Sequence, residues 1–275
     1  MYTSLAVRSP VFEQLAFVLR NGSSDEALAG PVLHIVGGKA VDIPGTWPHQ
    51  ASLEIKSSGS HSCGAVLISS RWLVTAAHCL GSSASKYQIV LGQHDRETRR
   101  EGNPIVYAVE SVTRHPSFSN NGFSGFPNDV GVVRLAQDVV LDQFTQPIRM
   151  ADSDAPDFTG QDCYITGWGR LYGYGPLPNV LQEANIDVLT QTQCRRFWGN
   201  KILGYHICVT DKQTSSRGAC NGDSGGPLVC IHKSSGDFVL AGVTSWGSGT
   251  CTTRSPSVYA RISYFRGWIR TTTGV

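Results

Sequence analysis

The chain has 275 residues, of which 40% are apolar, enough for a large core and too many for a wholly disordered protein. Its 23 Lys and Arg are scattered among 21 Asp and Glu, and the net charge of +2 offers no basic face for nucleic acid or a membrane surface. No apolar run approaches the ~18 residues of a membrane-spanning helix, so no membrane partner is expected.

Residues 1–34 read as a leader or propeptide. Val11–Leu19 is apolar but broken by Glu13 and Gln14, a weak form of secretory signal. Asn21-Gly22-Ser23-Ser24-Asp25-Glu26 is polar and turn-like, and its first three residues form a glycosylation sequon. From Ile35 to Val275 short β-prone runs alternate with turn residues and form one domain. Examples are Ala65–Ile68, Gln88–Leu91, Ile105–Val109, Val130–Leu135, Cys163–Gly167, Asn185–Leu189, Pro227–Ile231 and Phe238–Ser245. This spacing predicts an all-β sandwich or barrel. A stretch rich in Asp, Gln and Pro, 137–161, divides two β-halves. Two helices are expected: Thr190–Trp198, around Cys194, and Ile262–Ile269, with Ile262, Phe265 and Ile269 at helical spacing.

Eight cysteines are present, an even number, and no Cys-x-x-Cys pair occurs. Metal and redox spacings are therefore missing, and four disulfides formed in an oxidising compartment are expected. Eight cysteines allow 105 pairings, so counting leaves the connectivity open.

Three segments carry chemistry. In Gly222-Asp223-Ser224-Gly225-Gly226-Pro227 a serine between glycines can sit on a tight turn with its backbone amides exposed to an oxyanion. The same Gly-x-Ser-x-Gly occurs at the nucleophile elbow of α/β-hydrolases, where acid and His follow the serine. Here only His232 lies downstream, eight residues on and in a strand-like run. Better partners lie upstream. Thr75-Ala76-Ala77-His78-Cys79 crowds a histidine with small residues, and Asn128-Asp129-Val130-Gly131-Val132-Val133-Arg134-Leu135 opens an apolar strand with a carboxylate. An unpartnered carboxylate there is costly, and an imidazole partner removes the cost.

The pentapeptide around His78 and the hexapeptide around Ser224, in the order His78, Asp129, Ser224, resemble the trypsin- and chymotrypsin-like serine proteases. The resemblance covers nearly all of 35–275. It implies two six-stranded antiparallel β-barrels with a short intermediate helix and a C-terminal helix. It implies a secreted endopeptidase with Ser224 as nucleophile, His78 as general base and acid, and Asp129 as the residue that orients the imidazole. The amides of Gly222 and Ser224 would form the oxyanion hole. The implied disulfides are Cys63–Cys79, Cys163–Cys230, Cys194–Cys208 and Cys220–Cys251. Ser245-Trp246-Gly247 would pair with substrate backbone as an added strand, with Ser245 facing Asp129. The alternative is a protease-like binding protein without catalysis, but such homologues usually lose a triad residue.

Ile35-Val36-Gly37-Gly38 resembles the family's mature N-terminus, whose ammonium would pair with Asp223 after cleavage. The preceding residue is His34, where the family commonly has Arg or Lys. His61 aligns with a histidine that holds the Asp223 equivalent in some zymogens. An acid pH limb following His78 and an alkaline limb following the Ile35 amine are expected. The pocket floor falls at Gly218, six residues before Ser224. Gly218 and Ala219 are neutral and small, Gly247 leaves one wall open, and Ser257 shortens another. Preference for Leu, Met, Phe or Tyr follows, with poor cleavage after Arg or Lys. In the family's calcium loop, Gln93 and Pro104 stand where some members carry glutamates, and Arg96, Arg99 and Arg100 flank Glu97 and Glu101. Neither metal nor cofactor is expected. The expected partners are protein or peptide substrates, an activating protease and protein inhibitors, with the enzyme itself a monomer.

Overall fold

Alternation of apolar side chains along short strands closes this chain into two antiparallel barrels. The computed structural model describes residues 35–98, 102–155 and 157–275. The leader, its sequon and His34 lie outside the described residues, as do Arg99, Arg100 and Glu101.

The first barrel contains β2 (Gln50–Ile55), β3 (Ser60–Leu67), β4 (Trp72–Thr75), β5 (Tyr87–Gln93), β6 (Gly102–Arg114) and β7 (Gly131–Leu135), closed in the order β2-β3-β4-β7-β6-β5. Its interior is the every-second-residue set expected of a small barrel: Ala51 and Leu53, Ala65 and Leu67, Ile89 and Leu91, Val133 and Leu135. The second barrel contains β8 (Cys163–Gly167), β9 (Gln182–Leu189), β10 (His206–Thr210), β11 (Pro227–Ile231), β12 (Phe238–Trp246) and β13 (Ser257–Arg261). They run β9-β10-β13-β12-β11-β8, and a β8–β9 pairing closes the ring. Ile165, Ile186, Val188, Ile207, Val209, Leu228, Val239 and Tyr259 fill it. β1 (Lys39–Ala40) adds to β9 from outside. The two six-stranded barrels implied by the resemblance are thus present. Residues 136–162 run between them, hydrogen-bonded to both through Ile148 N–H to the Leu67 carbonyl and Ala151 N–H to the Leu240 carbonyl.

Five strands lie outside those example runs: β1, β2, β4, β10 and β13. β4 is only four residues long. β2 does alternate, but its polar face is also buried, because Gln50 Oε1 accepts from the Thr166 hydroxyl of β8 at 2.7 Å and Ser52 bonds His61. Both helices form. α1 (Gln191–Trp198) starts on a capping box, in which Thr190 Oγ1 accepts from Gln193 N–H and Gln193 Oε1 accepts from Thr190 N–H. α2 (Ile262–Thr273) buries Ile262, Phe265 and Ile269 and runs four residues past the expected end. There Thr271, Thr272 and Thr273 bond back to the carbonyls four residues earlier, which apolar spacing does not signal.

The disulfides are Cys63–Cys79, Cys163–Cys230, Cys194–Cys208 and Cys220–Cys251, the pairing implied by the resemblance.

Candidate active site

The site forms where loops of the two barrels meet. His78 sits on a one-turn 3-10 helix, Ala77–Cys79, directly after β4. Ala76 and Ala77 are fully buried there, which explains the small residues, and the Cys79 disulfide ties the turn to β3. Asp129 lies two residues before β7, the strand paired with β4, so barrel closure brings both ends together. One carboxylate oxygen, Oδ1, accepts the His78 N–H at 2.9 Å; the other, Oδ2, faces His78 Nδ1 at 2.7 Å. An ionised carboxylate only accepts, so Nδ1 carries the proton and Nε2 keeps its lone pair. A third donor, Ser245 Oγ from the second barrel, reaches Asp129 Oδ2 at 2.5 Å. The Asp129 side chain is 1% exposed and that of His78 24%, so the acid is sealed while the imidazole faces the cleft.

Ser224 follows a loop bent by Gly222 at φ +101° and precedes Gly225 at φ +76°, a backbone shape that favours glycine. The loop is held by Asp223 N–H to the Cys220 carbonyl, Gly225 N–H to the Thr244 carbonyl and Gly226 N–H to the Asp223 carbonyl. The Ser224 carbonyl accepts from Gly64 N–H of β3 at 2.8 Å. A side chain at Gly225 would overlap the Thr75 hydroxyl, three residues before His78. Among the described residues the Gly222 and Ser224 amides have no internal acceptor, and no hydrogen bond joins Ser224 Oγ to His78. Such catalytic bonds commonly tighten only with substrate in place.

Asp223 is buried, and its carboxylate accepts from Gly169 N–H at 2.8 Å and Cys220 N–H at 2.9 Å. Burial pushes its pKa up to about 7 against the help of those amides. Among the described residues it has no cationic partner. His61 does not hold it. Its Nδ1 meets Ser52 Oγ at 2.7 Å and its Nε2 meets the Gly222 carbonyl at 2.9 Å, so this histidine braces the loop one residue away. Ile35 is buried in the second barrel's core, Val36 accepts from Gly218 N–H, and a side chain at Gly37 would overlap the Ser216 carbonyl. The segment 35–37 therefore lies against the loop that leads into Gly218.

Gly218, Ala219, Gly247 and Ser257 come together. Ser257 Oγ accepts from Ala219 N–H at 3.2 Å, and a methyl on Gly218 would lie 3.5 Å from that hydroxyl. A methyl on Gly247 would lie 3.7 Å from Ser257 Cα. The Cys220–Cys251 bridge ties the loops carrying Ala219 and Gly247. Trp246 stands half-buried at the end of β12, with Trp198 edge-on at 5.1 Å.

The Cys63, His78 and Cys79 ligand atoms cluster, but both sulfurs are spent in a disulfide and offer no thiolate. Glu97 accepts a hydrogen bond from Asn179. Sequence reasoning passed over Gly167 and Gly169, where side chains would overlap the Asp223 carboxylate. Two glycines flanking Trp168 were the available signal.

The profile of the trypsin family matches residues 35–269. Human chymotrypsin-like elastase family member 3B is 39% identical over 252 residues, covering 88% of this chain and 90% of that protein. Chymotrypsin-like elastase family member 1 of Bos taurus is 36% identical, covering 86% and 88%. The fibrinolytic enzyme, isozyme C, of Lumbricus rubellus is 38% identical, covering 86% and 98%.

Proposed function

The chain belongs to the trypsin family and is a serine endopeptidase; from that premise we propose that it is secreted as a zymogen and, once cut after His34, cleaves peptides after apolar or aromatic residues through His78, Asp129 and Ser224.

The observation that carries the catalytic assignment is the Asp129 carboxylate, which grips both the backbone and the ring of His78 and leaves Nε2 open toward the cleft. Ser224 Oγ attacks the scissile carbonyl and gives its proton to His78 Nε2. The resulting oxyanion takes the free amides of Gly222 and Ser224, and Asp129 stabilises the imidazolium. Collapse of the tetrahedral intermediate breaks the C–N bond as His78 protonates the leaving amine. Water then repeats the sequence on the Ser224 ester. Ser245-Trp246-Gly247 takes the substrate backbone as an added strand.

Activation acts through Asp223. Among the described residues the buried Asp223 carboxylate faces only amides, a costly arrangement. A free Ile35 ammonium supplies the missing charge and secures the loops that carry Gly218 and Ser224. Secretion is supported by four disulfides, which form and persist in oxidising compartments. An activating protease and protein inhibitors are the partners this scheme calls for.

Specificity rests on Gly218, Ala219, Gly247 and Ser257, which carry no charge to neutralise a buried Arg or Lys, and on the elastase-like and chymotrypsin-like names of the relatives. The test is an Ile35-started protein assayed on peptides that vary only the residue before the scissile bond, with Ser224→Ala as control. Cleavage after Phe, Tyr, Leu or Met, lost in the control, is expected. Faster cleavage after Arg would overturn the pocket assignment and keep the triad; no cleavage of any peptide would overturn both.

A further inference from the structure

A buried histidine outside the triad touches both barrels at the cleft. His206 opens β10 and is 1% exposed. Its Nδ1 accepts the Leu203 N–H at 3.2 Å, which puts the ring proton on Nε2. That N–H donates to the Gly125 carbonyl at 3.1 Å. Both nitrogens are therefore occupied by the neutral ring, and burial pushes its pKa down to about 4. The ring meets Trp246 edge-on at 5.9 Å and Tyr205 at 4.5 Å.

Gly125 lies four residues before Asp129 in a strained turn. Gly125, Phe126 and Asn128 all have left-handed backbone, at φ +74°, +50° and +55°, which non-glycine residues adopt at a cost. The Phe126 ring stands 6.3 Å from that of His78. Under Trp246 the chain must be glycine, because a methyl on Gly125 would lie 3.2 Å from the indole and 2.7 Å from the Lys201 carbonyl. The other hydrogen bonds of residues 117–128 stay within residues 115–130 of the same connection, as in Phe118 N–H to the His115 carbonyl, Phe126 N–H to the Asn121 carbonyl and Asn128 Nδ2 to the Ser117 carbonyl. Among the described residues, His206 Nε2 makes this loop's one hydrogen bond to the second barrel.

We propose that His206 is a positioning residue that holds Phe126 of the first barrel and Trp246 of the second at a set separation, and so fixes the groove for substrate residues N-terminal to the scissile bond. The inference rests on the active-site reading above, in which the strand through Trp246 pairs with substrate. A substrate with only one residue before the bond does not enter that groove; a tetrapeptide does. The effect of His206 should therefore fall on KM, and only for the longer substrate.

The test uses the full chain cleaved after His34, with a single-residue Phe anilide and a tetrapeptide anilide ending in Phe. His206→Phe keeps a ring against Trp246 and Tyr205 but has no N–H. It is expected to lose about tenfold in kcat/KM on the tetrapeptide, through KM, and to stay within about threefold of wild type on the single-residue substrate. His206→Gln, which returns a donor to the Gly125 carbonyl, should recover most of the loss. Should His206→Phe not fold, His206→Asn replaces it, since it can accept from Leu203 N–H but is too short to reach Gly125. Equal losses on both substrates, a loss confined to kcat, or no loss would overturn the inference. Wild type inert toward both substrates would overturn the active-site reading and this inference with it.

Discussion

Asp129 shows how much one buried residue carries. Three donors converge on its carboxylate, two from His78 and one from Ser245, so its charge is satisfied before any substrate arrives. Asp129→Asn keeps the shape but can donate where the acid only accepts, favouring the wrong imidazole tautomer. A drop in kcat of about 10⁴ is expected, the size known for the family's triad acid. Ser245→Ala removes one charge-assisted bond, so a smaller loss of roughly tenfold in kcat is expected. Steady-state kinetics on one apolar peptide checks both. Asp223 gives a pH prediction. Its carboxyl titrates near 3.8 unperturbed and is pushed up to about 7 in the uncut fold. The folded state then holds the proton more tightly, so its stabilising contribution is complete below about pH 4 and is lost as pH rises through about 7. Thermal stability of the uncut chain should therefore fall relative to Asp223→Asn as pH rises between those values. His49, His61 and His206, all pushed down by burial, titrate in both proteins and cancel. A level difference across that range would contradict the assignment.

At the scale of elements, α1 is short and polar, and it depends on its ends. Its Thr190–Gln193 capping box and the Cys194–Cys208 bridge to β10 hold it, while Trp198 leans on Trp246. Thr190→Ala should cost about 1 kcal/mol of stability, as for other caps, with kcat unchanged. Calorimetry beside an activity assay separates the two. The helix was legible from its residues as a polar stretch around Cys194, which is a local signal. β2 was not, although Gln50, Ser52 and Glu54 alternate with Ala51, Leu53 and Ile55, because its polar face is also buried. Nothing within six residues announces that Gln50 will meet Thr166 across the barrel seam. The end of α2 was missed for a related reason: its last turn is polar and rests on backbone bonds rather than on an apolar stripe.

At the scale of the whole molecule, catalysis depends on how closely the barrels meet. Gly64 of β3 donates its N–H to the Ser224 carbonyl, and a methyl on it would lie 2.7 Å from Gly226 Cα and 2.8 Å from Gly226 N. Backbone is on both sides, so neither can yield without moving the Ser224 loop. Gly64→Ala should lower kcat by an order of magnitude or more, and stability by the roughly 1–3 kcal/mol typical of overpacking. Full activity with unchanged unfolding would show that the seam is looser than its geometry implies.

Local patterns of residue types carried the resemblance from which the site was read. Ser224 among glycines, His78 among alanines and Asp129 before an apolar strand are local patterns, and eight cysteines without metal spacing already pointed to four bridges. Strand periodicity carried the all-β class in the same way, since each strand records which face it buries. Partnership was decided only by the fold. His78 and Asp129 are 51 positions apart and Ser245 and Asp129 are 116 apart, so their hydrogen bonds exist only once both barrels have closed. The same holds for His61, which braces the Gly222 carbonyl instead of Asp223, and for His206, whose tie to Gly125 spans 81 positions. The physical reason is the range of the forces. Propensity, capping and apolar alternation act within a few residues, whereas a buried hydrogen bond depends on which distant group the closed barrels bring within 3 Å.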